Sequence, residues 1–149
     1  MKILASAALL LCALSTPLEG QSVLEFPRWR SVSTVTVVPT ISGAVIYLDL
    51  EPVIPEPMFR DWWAEMEACV GIQAPYDSTT WFLADAILNV YPQPPVTTSD
   101  GHHWSYPPEI ILLRGLTILQ TEEVAKHEIL HELLGNNTIH RDSLFLACS

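Results

Sequence analysis

Residues 127–131 read His127-Glu128-Ile129-Leu130-His131, and their types and spacing suit metal chemistry. Positions i and i+4 of an α-helix share one face. Both imidazoles can therefore reach one ion, with Glu128 beside the pair. Catalytic zinc takes three protein ligands and a water, and lowers that water's pKa toward neutrality. A neighbouring carboxylate can then accept the proton. This HExxH arrangement points to zinc-dependent hydrolysis, with peptide bonds as the first substrate to consider. With five His in 149 residues, a chance match arises on the order of once in a few hundred chains, so the surroundings must agree as well.

The surroundings read as a helix over residues 121–134. Thr121-Glu122-Glu123 gives a polar, acidic start suited to the positive end of the helix dipole. Val124, Ala125, Ile129, Leu130, Leu133 and Leu134 recur at helical spacing, and Gly135-Asn136-Asn137 supplies a stop. The competing reading is an amphipathic core helix that carries two solvent-facing histidines. A third ligand is required. His140 is the first choice, with Asp142 its rival. Glu132 neighbours His131 in sequence but helix geometry turns it from the metal face. His102, His103 and Tyr106 fall in a polar stretch expected to be a loop. They are candidates for an oxyanion or substrate donor, and His102 or His103 for the third ligand. The plainer reading of these three is an exposed loop.

The first twenty residues read as a secretory signal: Met1-Lys2, then an apolar run over 3–14 too short to anchor in a bilayer, then Pro17 and small residues. Cleavage after Gly20 leaves residues 21–149 as one domain. Cys12 follows Leu11, where lipoprotein processing needs a small residue, so lipidation is not expected. The expected location is secreted or periplasmic. The net charge is −10 and survives cleavage, which removes one Lys and one Glu. So acidic a surface argues against nucleic acid or an anionic membrane as partner, and no later run is long enough to span one. The partner expected is a peptide or protein substrate, and the chain a monomer. Cys69 and Cys148 remain; in an oxidising compartment they invite a disulfide, the other reading being two buried thiols.

The elements that must position these residues follow from periodicity. Residues 31–38 and 44–50 alternate as strands around the turn at 39–43 and are expected to form a hairpin. Residues 51–57 read as a Pro-rich connector. Phe59, Trp62, Trp63, Met66 and Cys69 or Val70 mark a helix over 58–70 that Gly71 ends. Its two tryptophans are read as core, with a pocket lining as the lesser alternative. A strand is expected at 79–86, continuing toward Val90, then loops at 91–95 and 97–108. A short apolar strand at 109–114 is placed at the sheet edge, beside the cleft, where an extended peptide could add to it. The fold class is α+β: a twisted mixed sheet with a backing helix and the HExxH helix.

Lys126-His127-Glu128-Ile129-Leu130-His131-Glu132-Leu133-Leu134-Gly135, followed by His140, Phe145 and Cys148, resembles the zincin metallopeptidases. More narrowly, it is similar to small secreted bacterial zincin-like proteins. Their signature runs HExLHxLLG, a short gap, His, an aromatic and a terminal Cys. Residues 62–71, with Trp62, Trp63 and Cys69, look like the tryptophan–cysteine helix of that group. The resemblance implies a zincin-like fold, one Zn²⁺ on His127, His131 and His140, Glu128 as general base, and a Cys69–Cys148 disulfide. The alternative from another class is a non-catalytic exported zinc-binding or interaction module. Its metal would be structural, closed by a fourth ligand such as Asp142 or His102.

Overall fold

The computed structural model describes residues 34–91, 96–135, 140 and 142–149. The signal peptide expected over 1–20 and the Asn136-Asn137 part of the expected helix stop lie outside them. The described chain is α+β, with eight strands in two sheets and three helices. Strands β1 (Val35–Thr40) and β2 (Gly43–Leu48) form the expected antiparallel hairpin. Strand β5 (Ala86–Val90) pairs with β2, and β6 (Thr97–Thr98) with β5, completing the first sheet in the order β1-β2-β5-β6. The second sheet has the order β3-β4-β8-β7, from β3 (Glu51–Val53), β4 (Thr80–Ala84), β8 (Pro108–Leu113) and β7 (Gly101–Ser105). The β4–β8 pair is parallel; its neighbours are antiparallel.

Two sheets replace the single mixed sheet expected, because the chain changes sheet three times. It passes from β2 to β3 across Asp49, a non-glycine residue at φ 49°, from β4 to β5 across Asp85, and from β6 to β7 across Ser99 and Asp100. The stretch expected as one strand from Thr79 is thus two strands. Arg114 fastens the junction: Nε donates to Asp85 at 2.9 Å and Nη2 to Glu51 at 3.2 Å. The expected Pro-rich connector is partly β3.

Strand β8 is interior, not an edge. Ile110 and Leu112 join the core under the helices, while Ile111 packs with Val45, Tyr47 and Ile87 of the first sheet. An apolar run covered on both faces reads as continuous rather than alternating. The edge is β7, in the stretch expected to be a loop.

Helix α1 (Pro57–Val70) begins with Pro at its first position and ends at Gly71, whose φ of 72° suits a glycine and whose N–H reaches Glu67 O. Trp62 and Trp63 are both core. Helix α2 (Ile118–Leu134) starts three residues before the expected point. Thr117 and Gln120 form a reciprocal capping box, so the start is neutral and its first turn holds no acid. Glu122 instead pairs with Lys126, which also reaches Glu65 of α1. Helix α3 (Ser143–Cys148) lies against α1 and α2 and is tied to α1 by a Cys69–Cys148 disulfide.

The bridge spans 79 positions, so replacing both cysteines with serine is expected to lower the free energy of unfolding by about 2–4 kcal/mol. Urea midpoints of the two proteins check this; coincident midpoints would show that the tie adds nothing.

Candidate metal centre

Helix α2 presents His127 and His131 on one side and Glu128, about 100° around the helix, toward β7. Past Gly135, at φ 87°, the chain brings His140 back to the pair. The ligand atoms of His127, His131 and His140 all lie within 4.8 Å of one another. His131 Nε2 and His140 Nε2 stand 3.1 Å apart. Donors on a tetrahedral zinc at about 2.0–2.1 Å are roughly 3.3–3.4 Å apart, so this separation fits a shared cation. Phe145 of α3 backs the group, its ring 5.0, 4.9 and 5.1 Å from the three imidazoles.

The electrostatics suit the same use. Burial, reinforced by His140, lowers the His127 pKa. Burial, followed by the other histidines, lowers that of His131 to about 4. Both rings are therefore neutral at ordinary pH, as metal ligands must be. Burial pushes the Glu128 carboxyl up to about 8; a cation held alongside acts in the opposite direction. Among the described residues Glu128 has no hydrogen-bond partner, although it is only 7 % exposed.

Gly101 of β7 explains how Glu128 is held. A Cβ there would stand 2.5 Å from Val124 Cγ1, 2.7 Å from Glu128 Oε1 and 3.0 Å from Glu128 Cγ. The strand backbone lies directly on the carboxylate-bearing face of α2. Two residues on, His103 Nε2 donates to Glu132 Oε2 at 2.5 Å, fixing strand to helix a turn further along. Glu132 does turn from the histidine cluster, and this contact is where it goes.

The remaining candidates separate. Asp142 is not grouped with the histidines: its Oδ1 accepts from Leu144 N and Phe145 N as the N-cap of α3. His102 and His103 sit on a strand, not in a loop, and alternation sends them to opposite faces. His103 is buried against α2, its ring 6.3 Å from that of His131, and its Nε2 is taken by Glu132. His102 stacks on Trp104, 4.6 Å away, on the face toward Tyr47. Neither belongs to the three-histidine group. Tyr106 is almost fully exposed in the β7–β8 turn, before a cis Tyr106–Pro107 bond. No contact joins any of the three to an open position beside Glu128, so the structure does not bring them together as oxyanion donors. Gly101 was missed; a lone Gly opening a strand signals close backbone approach, and that was its only trace in the sequence. No known protein family, curated protein or solved structure matches the chain.

Two outcomes are expected. Gly101→Ala should destabilise the fold by about 1–3 kcal/mol through overpacking against α2, read by urea unfolding; an unchanged midpoint would mean that β7 backs away freely. Burial, then His103, lowers the His102 pKa to about 4, against 6.5 unperturbed. Its contribution is thus complete above pH 6.5 and is lost as pH falls toward 4. Between pH 7 and pH 5 the metal-free protein should lose up to about 2 kcal/mol more than a His102→Phe variant. Parallel pH profiles would refute this.

Proposed function

We propose that this chain is an exported zinc metallopeptidase of the zincin kind. The observation that carries the reading is a conjunction: three imidazoles with converging ligand atoms, next to a buried carboxyl that no described residue satisfies. An accidental core helix has no use for either. The chemistry of the donor set, three imidazole nitrogens, is that of zinc sites that keep an open position. Among the described residues no fourth His, Cys, Asp or Glu joins the group, and Asp142, the fourth ligand a closed site would draw on, is engaged as a helix cap. This favours a catalytic over a structural site.

His127, His131 and His140 would hold the ion, with Phe145 packed behind their rings. Zinc, when bound, supplies Lewis acidity that polarises a carbonyl and brings water toward a neutral pKa. Glu128 accepts a proton from the attacking water and later delivers it to the leaving amine nitrogen. The Gly101 backbone lies against it and no described residue hydrogen-bonds to its carboxyl, which leaves its oxygens free for this exchange. The free edge of β7 is the surface along which an extended peptide can pair with main-chain N–H and C=O groups. The disulfide, and the lack of any described helix long and apolar enough to cross a membrane, accord with work outside the cytoplasm.

Purified protein should hold one equivalent of zinc by elemental analysis, with most of it lost in His140→Ala. Glu128→Gln should keep the zinc while peptide hydrolysis falls by about 10²–10⁴-fold. Retained hydrolysis in Glu128→Gln, or protein that takes up no zinc, removes the proposal.

A further inference from the structure

A cavity of about 360 Å³ opens between the start of β7 and α2, next to the candidate centre. That is room for roughly a dozen waters at about 30 Å³ each, enough for a long side chain. Its walls include Asp100, Gly101, Glu123, His127 and Glu128, and no Lys or Arg. Asp100 directly precedes β7; Glu123 lies one helical turn before His127. Neither carboxylate makes a side-chain hydrogen bond or ion pair with a described residue. Lys126, the nearest cation in sequence, is already engaged by Glu65 and Glu122. The third carboxyl facing the cavity is that of Glu128, more than nine-tenths buried and without a hydrogen-bond partner among the described residues.

Acidic side chains standing apart on a surface are ordinary, since water and salt screen them. Here two of them flank an open recess that Glu128 also lines. A guanidinium or ammonium group entering that space would meet acceptors from the strand and from the helix at once. Its aliphatic stem would pass over Val124 and the Gly101 backbone. A peptide paired along the free edge of β7 reaches this cavity at the strand's first residue, immediately beside His127 and Glu128.

We propose that this cavity is a subsite for a basic side chain, Arg or Lys, of the peptide substrate, with Asp100 and Glu123 as its specificity determinants. The inference rests on the metallopeptidase reading for its peptide, and adds to that reading the substrate class.

The test uses zinc-loaded protein and fluorescent peptides of one uncharged sequence carrying a single Arg, Lys, Gln or Glu. Affinity is read by anisotropy at low and high salt, and cleavage in the same samples by mass spectrometry. Arg and Lys peptides should bind roughly tenfold more tightly than the Gln peptide, the Glu peptide more weakly still, with the gap narrowing as salt rises. The Asp100→Asn/Glu123→Gln double variant, changed only at exposed positions, should bind Arg and Gln peptides alike while melting as the wild type does. Equal affinities in the wild type would overturn the subsite, as would a second equivalent of zinc that the double variant loses. Cleavage of all four peptides with no charge preference would remove the subsite and leave the peptidase. Arg selectivity without cleavage would remove the peptidase and leave the binding site.

Discussion

Strand β7 lies so close to helix α2 that only a glycine fits at Gly101, and the candidate site depends on that approach. The contact places the strand backbone against Glu128 without a hydrogen bond to its carboxyl among the described residues, so the oxygens the proposed chemistry needs are not occupied. It also brings the free edge of the second sheet beside His127, so the surface that could hold a peptide and the groups that could cut it share one contact. The His103–Glu132 pair extends the grip along the helix, and a pair this buried gives the strand little freedom to slide. The first sheet contributes indirectly. By covering the far face of β8 it keeps the strand that carries β7 flat against the helices.

The other half of the site depends on α3. A helix of six residues has negligible stability alone, yet Phe145 on it is the floor under all three imidazoles. Three features hold it: the Asp142 cap at its start, Phe145 in the core, and the disulfide to α1 at its end. The tie explains why a cysteine at position 69, far from the histidines in sequence, bears on their geometry. Helix α1 is in turn clamped to α2 by Lys126. The two ligand-bearing segments therefore share a common support, and His140 meets His127 and His131 without being on their helix.

The chain shows its helices plainly and its sheet edges poorly, for a physical reason. Helical spacing is a local signal, so α1 and α2 can be read directly, and Gly71 marks its stop. Even the true start of α2 was readable: Thr117-x-x-Gln120 is a capping box, which the more conspicuous acids at Glu122 and Glu123 obscured. Edge and interior are not local properties. Ile110-Ile111-Leu112-Leu113 says only that both faces are covered, and that argued for the middle of a sheet rather than its rim. His102 and His103 looked like loop residues because turn signals surround them, yet β7 is a short edge strand whose partner supplies the order. The grouping of His140 with the pair on α2 was foreseen from type and proximity. The role of Gly101 lies in what a side chain there would strike, which a single sequence does not display.

The charge arrangement gives the final step. Burying an unpaired carboxyl costs free energy, and so does depriving imidazoles of water while crowding them together. The fold accepts both at one place, inside a chain of net charge −10. The ring nitrogens of the three histidines converge beside Phe145. A divalent cation, attracted by the carboxyl and ligated by the ring nitrogens, would offset both costs together. The same surplus of negative charge continues outward to Asp100 and Glu123, where it is solvated and inexpensive. The acidic rim and the histidine donor set beside it would draw cations inward, a metal ion to the centre and a basic side chain to the rim.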